Sequence, residues 1–364
     1  MKMSNVKKQL REGYTTGSSA TAAAMAALRM LLCKKAVEQI EIPLPVKGTL
    51  MVPVKQVEKS AGVARAIVTK DGGDDPDATH GEEIHALVEL ISGEDLRVEL
   101  VGGKGVGKVT LPGLPVPIGE AAINPVPRKQ IIAGALKETS RSAPEFKGTI
   151  KICIEVPKGE EIAKKTMNAR LGILGGISIL GTQGIVRPFS HASWKASIAQ
   201  ALNVARASGL DEITFTTGRR SELFYMEHFT ETNQISIVQA ADFFKFSMQQ
   251  ARLKKMKSVH WAIFIGKLVK HAQGFPYTHA KDWAIDFPLL ADWCEALDMN
   301  QNLTNEIRTA NTASQVFQMI PQNHKKKFTH LLVQKARQNA AAFAGSDNIS
   351  IEYHLFDFDG SKLY

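Results

Sequence analysis

Three stretches of this chain combine residue types that can do chemistry. In the first, Gly13-Tyr14-Thr15-Thr16-Gly17-Ser18-Ser19-Ala20 runs into an alanine-rich segment from Thr21 to Leu32. A hydroxyl-rich glycine turn that opens a helix presents free N–H groups and the positive end of the helix dipole, which suits a carboxylate or phosphate. The same residues also read as an ordinary N-cap. In the second, Asp71-Gly72-Gly73-Asp74-Asp75-Pro76-Asp77-Ala78-Thr79-His80-Gly81 places four carboxylates and a histidine in one loop. Acids so crowded raise one another's pKa and could supply a general base near neutrality, with Asp74, Asp75 and His80 as candidates. Asx turns around glycine account for the loop equally well, and its spacing is not that of a calcium loop. In the third, Gly172, Gly175, Gly176, Gly181 and Gly184 surround the apolar run Ile177–Leu180, with Asn168, Arg170, Thr182 and Ser190 as polar groups able to face a ligand. Close packing of helix on sheet also uses glycine. A crevice lined by Gly175, Gly176, Gly181 and Thr182 is the expectation.

A fourth stretch imitates a phosphate loop. Gly102-Gly103-Lys104-Gly105-Val106-Gly107-Lys108 is followed by Val109 where Ser or Thr is required, and Pro112, Pro115 and Pro117 forbid the helix that would hold the phosphate. The dinucleotide and methyl-donor fingerprints fail there for the same reason. What remains is a glycine loop that lets another backbone or a flat ligand approach closely.

The elements that must position these residues change character along the chain. At 364 residues, two domains are expected. An apolar fraction of 44% with 22% charged residues describes a soluble globular protein. The run Ala20–Cys33 is too short and too interrupted to span a bilayer. Cys33, Cys153 and Cys294 form no metal or redox spacing, which fits a cytoplasmic location and no protein-bound metal. The net charge of +9 is scattered in pairs and triplets such as Lys7-Lys8, Arg219-Arg220 and Lys325-Lys326-Lys327. Without a basic face interleaved with aromatics, nucleic acid is not the expected partner; a small polyanion is.

Short runs at period two, such as Ile84, Ala86, Val88, Leu90 and Ile150, Ile152, Ile154, Val156, give strands in the first half. In the second half strands alternate with helices: a helix with Trp194, Ile198, Leu202 and Ala205 on one face, then strands over Ile213–Thr217, Gln234–Val238 and Val259–Ile265. The expected fold is α+β and α/β: a strand-rich, S5 domain 2-like N-terminal domain over 1–160, and a doubly wound Rossmann-like domain over 161–345. A strand-like tail follows over 346–364. Ligands in such sheets bind at the carboxyl ends of the strands, which here carry Gly181, Gly218 and Gly266.

Taken in order, Gly13-Tyr-Thr-Thr-Gly, Lys70-Asp-Gly-Gly-Asp-Asp-Pro-Asp-Ala-Thr, Gly105-Val-Gly with Pro112-Gly-Leu, Ala122-Ile-Asn-Pro-Val-Pro-Arg128 and Gly175-Gly-Ile-Ser-Ile-Leu-Gly-Thr resemble the cobalt-precorrin-5B (C-1)-methyltransferase family of anaerobic cobalamin biosynthesis. The resemblance is strongest from about residue 10 to 190. Two departures stand out. Ser19 replaces the usual cysteine, which argues against a catalytic thiol. Ile263-Phe264-Ile265-Gly266-Lys267-Leu268 lacks the usual Gly-His before Gly-Lys-Leu, leaving His260 or His279 as substitutes.

The resemblance implies S-adenosylmethionine as methyl donor and a cobalt corrinoid bearing several carboxylates as substrate, in an enzyme that could be a homodimer. Methyl transfer needs chiefly alignment in a dry site, where orientation contributes about 7–11 kcal/mol. The donor is then expected at Gly175, Gly176, Gly181 and Thr182. The macrocycle carboxylates are expected at Thr15, Thr16, Ser18, Arg128 and Arg170, with proton handling at Asp74, Asp75 or His80. Two rivals carry over: a small-molecule kinase of the galactokinase and homoserine-kinase type, suggested by Gly17-Ser18-Ser19-Ala20, and a non-catalytic corrinoid-binding protein.

Overall fold

A computed structural model describes residues 10–346 and 348–364, so the lysine pair Lys7-Lys8 lies outside the described residues. The chain divides into two compact units, one ending at Ser190 and one running from His191 to Tyr364.

The first unit is built around a helix made almost wholly of small residues. After β1 (Gly13–Tyr14) comes α1 (Thr16–Cys33), in which every residue from Thr16 to Leu28 is buried. Alanine lets this helix lie close to its neighbours on all sides, whereas a surface helix would show a polar stripe. The hairpin β2 (Gln39–Pro43) and β3 (Thr49–Pro53) follows, then β4 (Gln56–Ser60), β5 (Val63–Thr69), β6 (Glu83–Ser92) and β7 (Arg97–Gly102). With β10 (Gly148–Glu155) they form a sheet in the order β4-β5-β6-β10-β7, antiparallel except for the parallel pair β10 and β7. The period-two residues behave as expected: Ile84, Ala86, Val88, Ile150, Ile152 and Ile154 are buried together with the alanines of α1.

No helix interrupts the glycine- and proline-rich stretch before α2 (Pro125–Ser142); it holds only the two-residue strands β8 (Gly105–Val106) and β9 (Lys108–Val109). Helix α2 packs on α1 so closely that a Cβ on Gly134 would meet Thr21 Cγ2 at 2.8 Å and Met25 Sδ at 2.9 Å. At the far end of the pair Arg29 grips the buried Glu138 with two bonds of 2.6 Å. The short α3 (Gly159–Ala163) leads into β11 (Ile173–Leu174), β12 (Gly176–Ile177) and β13 (Ile185–Val186).

These last strands shift the division expected from sequence. Residues 161–190 pair entirely with the first unit: β11 with β9, β12 with β8, and β13 with β1. Because two-residue strands carry no readable period, their partners cannot be read from the run itself.

The second unit alternates strongly. It contains α4 (His191–Ala207), β14 (Glu212–Thr216), α5 (Arg219–His228), β15 (Ile237–Gln239), α6 (Phe244–Leu253), β16 (Ser258–Phe264) and α7 (Ile265–Ala272). Then come α8 (Phe287–Glu295), α9 (Gln301–Arg308), α10 (Ala313–Met319), α11 (Gln322–Ala344) and β17 (Ser350–Phe356). The four strands are all parallel in the order β15-β14-β16-β17, so the residues read as a separate tail supply the fourth strand of the sheet. One face carries Phe215, Trp261, Ile263, Tyr353 and Leu355 against α6, α7 and α11; Tyr225 of α5 packs on the other with Ala262 and Phe356. Ile198, Leu202 and Ala205 of α4 are buried as expected, but Trp194 is 44% exposed. Among the described residues no helix is long and apolar enough to cross a membrane.

Candidate active site

Three motif segments converge in the first unit. Tyr14 N–H donates to the Asp71 carbonyl at 2.8 Å, and β1 pairs with β13. A Cβ on Gly13 would lie 2.3 Å from Asp71 O, and one on Gly73 would lie 2.2 Å from Arg11 O, so two backbones run side by side where side chains would not fit. The helix start, the acidic loop and the 180–189 segment therefore form one surface.

The hydroxyls at the helix start face inward. Thr15 caps the helix by accepting from Ser18 N at 3.2 Å, and Ser18 Oγ donates to Gly184 O at 2.8 Å. Thr16 Oγ1 donates to Leu180 O at 3.1 Å and accepts from Leu180 N at 3.0 Å. Gly17 N–H donates to the same Leu180 carbonyl at 3.1 Å. The carbonyls of the 180–184 loop thus occupy the place an anion would take, and Thr15, Thr16 and Ser18 are all buried. Gln130 of α2 closes the group by donating to Ser18 Oγ at 3.2 Å and Pro43 O at 2.9 Å.

In the acidic loop each of the four carboxylates has its own partner. Arg11 makes a two-point contact with Asp71, its NH2 group at 2.9 Å, and this bond holds the Asp71 carboxyl below its ordinary pKa. Asp77 pairs with the buried Lys70 and accepts from Thr79 N and Oγ1 at 2.8 and 2.6 Å. Burial alone would raise its pKa, but Lys70 and Thr79 together bring it lower. The mutual pKa raising expected from sequence does not occur at these two acids, because each has its own cation. Asp74 accepts from Arg11 N at 2.8 Å and Asp75 from Phe189 N at 2.9 Å. Phe189 sits at φ +56°, in the left-handed region, and is 67% exposed. A bulky residue there is unusual, and the Asp75 carboxylate helps to hold it. His80, whose side chain is about half exposed, accepts the Gly72 N–H at Nδ1 over 2.9 Å, which leaves Nε2 as the donor nitrogen of the ring.

The glycines of the third segment divide. A Cβ on Gly176 would strike Gly105 O at 2.1 Å and one on Gly181 would strike Thr15 Oγ1 at 2.4 Å, so both are spent on close packing; Gly175 faces open space. Thr182 is exposed. Gly105 likewise admits a backbone, with Val156 O 1.9 Å from its would-be Cβ. Gly175, Gly176 and Gly181, expected at the strand ends of the second domain, lie outside the four-stranded parallel sheet. Arg128 reaches Leu100 O and Glu120 at 3.4 Å each, and Arg170 is half-buried.

The carboxyl edge of the parallel sheet carries a different set. The chain turns opposite ways from β14 and β16, and Gly218 and Gly266 stand just beyond them with nothing within 4 Å of a Cβ at either. The crevice outside such a reversal is where open α/β sheets bind ligands. Around it the fully buried Glu222 accepts from Arg219 at 2.6 Å and Gln239 at 2.9 Å. Lys267 contacts Asp242 and donates to Thr278 Oγ1 at 3.1 Å, while Lys270 donates to Thr278 O at 2.9 Å. Burial, then the neighbouring Lys267, pushes the Lys270 pKa down. Of these residues Gly218, Gly266-Lys267-Leu268 and Thr278 gave a signal in the sequence. Glu222 ends a polar run and Asp242 is a lone acid between Ala241 and Phe243, and neither belongs to a motif.

Comparison with known proteins gives the family. Residues 3–188 match the family model described as CbiD, and residues 277–364 match the model described as CbiD, C-terminal domain. The chain is 44% identical over 361 residues to the cobalt-precorrin-5B C(1)-methyltransferase of Nitratidesulfovibrio vulgaris, covering 97% of this chain and 92% of that one. It is 45% identical over 359 residues to the protein of the same name from Priestia megaterium, covering 98% and 96%. A crystal structure of the cobalamin biosynthesis protein (cbiD) from Archaeoglobus fulgidus aligns at 32% identity over 72% of this chain and 79% of that chain, with a TM-score of 0.39. The chain belongs to the CbiD family.

Proposed function

We propose that this protein is an enzyme that methylates C-1 of cobalt-precorrin-5B in cobalamin biosynthesis, with S-adenosylmethionine as donor. The observation that carries the reading is identity of 44–45% over nearly the whole length of relatives named for that activity. Neither the kinase nor the carrier reading has comparable support, and the helix start that suggested a kinase is filled by the chain's own carbonyls.

We read the second unit as Rossmann-like and place the donor at its carboxyl edge. The residues there fit: Gly218 and Gly266 leave room for a ligand. Asp242 follows the Gly218 turn at an interval comparable to that of the acid that holds a ribose hydroxyl in dinucleotide folds. Lys267 and Lys270 offer positive charge to a carboxylate. When bound, S-adenosylmethionine supplies an electrophilic methyl group on a sulfonium. The corrinoid carboxylates are assigned to Arg128 and Arg170, with Thr182 and the Nε2–H of the half-exposed His80 donating in the first unit. Asp75 would hold Phe189 in place and set the local charge.

The test is calorimetric titration of the full chain with S-adenosylmethionine, repeated on Gly218→Val and Gly266→Val. A Cβ at either position meets nothing within 4 Å, so both variants should fold, as circular dichroism would report, while donor affinity falls about tenfold or more, on the order of 1.4 kcal/mol. Wild-type affinity in both variants would remove the donor from this edge. Binding of Mg-ATP instead would revive the kinase reading.

A further inference from the structure

The middle of the same parallel sheet gathers a second set of chemically active groups, short of the edge that carries Gly218 and Gly266. In β16 and β17 alternate side chains share a face, and the register sets His260 opposite Glu352, with His354 two residues further along. His260, Glu352 and His354 each offer a ligand atom to a group lying within 4.8 Å. His260 Nδ1 stands 3.0 Å from His354 Nε2 and 3.6 Å from Glu352 Oε2. Its other nitrogen, Nε2, points to Ser258 Oγ at 3.2 Å and Glu212 Oε1 at 3.6 Å. We infer that His260 Nδ1, His354 Nε2 and Glu352 bind a borderline divalent cation of the zinc, cobalt(II) or nickel class.

Three features carry this inference. Two imidazoles and a carboxylate are the donor set such ions prefer over magnesium or calcium. Two nitrogens on a tetrahedral zinc about 2.0–2.1 Å away stand about 3.3 Å apart, so replacing the shared proton by the ion needs only a small adjustment. A ligating histidine characteristically directs its second ring nitrogen to a carboxylate, and Glu212 is placed for that. Among the described residues, the ion pairs of Glu212 and Glu352 are with His260 and not with lysine or arginine. The nearby Lys362 instead lays its ammonium over the Phe229 ring at 4.9 Å. Spanning β16 and β17 short of their carboxyl ends, the ion would fasten the sheet rather than take part in chemistry.

Metal-free full-length protein would be titrated with Co²⁺ by calorimetry and visible absorption, then with Zn²⁺ and Mg²⁺. One equivalent should bind per chain, with the intense d–d bands of a low-coordinate site, displaced by Zn²⁺ but not by Mg²⁺. Glu352→Gln, at an exposed side chain, should weaken Co²⁺ binding at least tenfold without affecting the fold. His260→Gln and His354→Gln should abolish the bands, with circular dichroism reporting folding. Absence of stoichiometric binding, or wild-type binding and bands in folded Glu352→Gln and His260→Gln, would overturn the assignment.

Discussion

Asp75 shows how a single carboxylate can serve backbone geometry and charge together. Its Oδ1 receives the N–H of Phe189, a residue in the left-handed region. Asparagine keeps a carbonyl oxygen to accept that bond but removes the charge. If the charge has a part in handling the substrate, Asp75→Asn should lower kcat about tenfold or more and leave the dissociation constant for S-adenosylmethionine within about twofold. Equal loss of both would show that the residue supports donor binding instead. Steady-state kinetics beside calorimetry separates the outcomes. His80 is a narrower case: with Nδ1 already accepting from Gly72, its other nitrogen donates, so it enters the proposal as a hydrogen-bond donor rather than a base.

Between elements, burial decides more than propensity. Arg29 and Glu138 fasten α1 to α2, and Glu138 is 1% exposed with Ser142 also donating to it at 2.7 Å. Removing one partner of a buried pair leaves the other charge unmatched. Glu138→Ala should therefore cost about 3–5 kcal/mol, read from guanidinium unfolding of the variant beside the wild type. In the second unit His271 is fully buried, stacked on Phe244 at 3.6 Å with Nδ1 3.2 Å from Tyr353 OH. Burial, then Lys267, pushes its pKa well below the ordinary value, so it folds neutral. The unfolded chain binds the extra proton, and the stabilisation is present above about pH 6.5 and lost as pH falls below it. Denaturant midpoints between about pH 7 and pH 5 should decline less in His271→Leu than in the wild type.

The elements themselves were largely legible. Period-two runs marked β6 and β10, and the alternation after Pro188 marked α4, β14 and β16. Hidden from the sequence was everything set by pairing at a distance. Gly176 looks the same whether a ligand or the Gly105 carbonyl lies against it. Thr16 looks like a free hydroxyl until Leu180 is seen to fill both its roles. His260 and His354 are separated by most of a helical subdomain, and only the register of two parallel strands makes them neighbours.

For the molecule as a whole, the net charge of +9 acts on encounter. A substrate rich in carboxylates is drawn by a positive field that salt screens over about 8–10 Å at ordinary ionic strength. Raising salt from about 0.05 to 0.3 M should lower kcat/KM several-fold with kcat nearly constant, measured by initial rates. A salt-independent kcat/KM would mean that the lysines serve solubility alone.

The pairing of Gly13–Tyr14 with Ile185–Val186 also sets a timetable for the protein's biogenesis. At about 5–20 residues per second, a ribosome needs roughly 10–35 s to travel from the first of these strands to the second. Until then the glycine turn, the acidic loop and the start of α1 have no 180–186 segment to close against, and the alanine face of α1 must wait beside a half-made sheet. The surface that carries the family's hallmarks is thus among the last parts of the first unit to come into being. A nascent chain arrested before residue 180 would hold the motifs without the architecture that joins them.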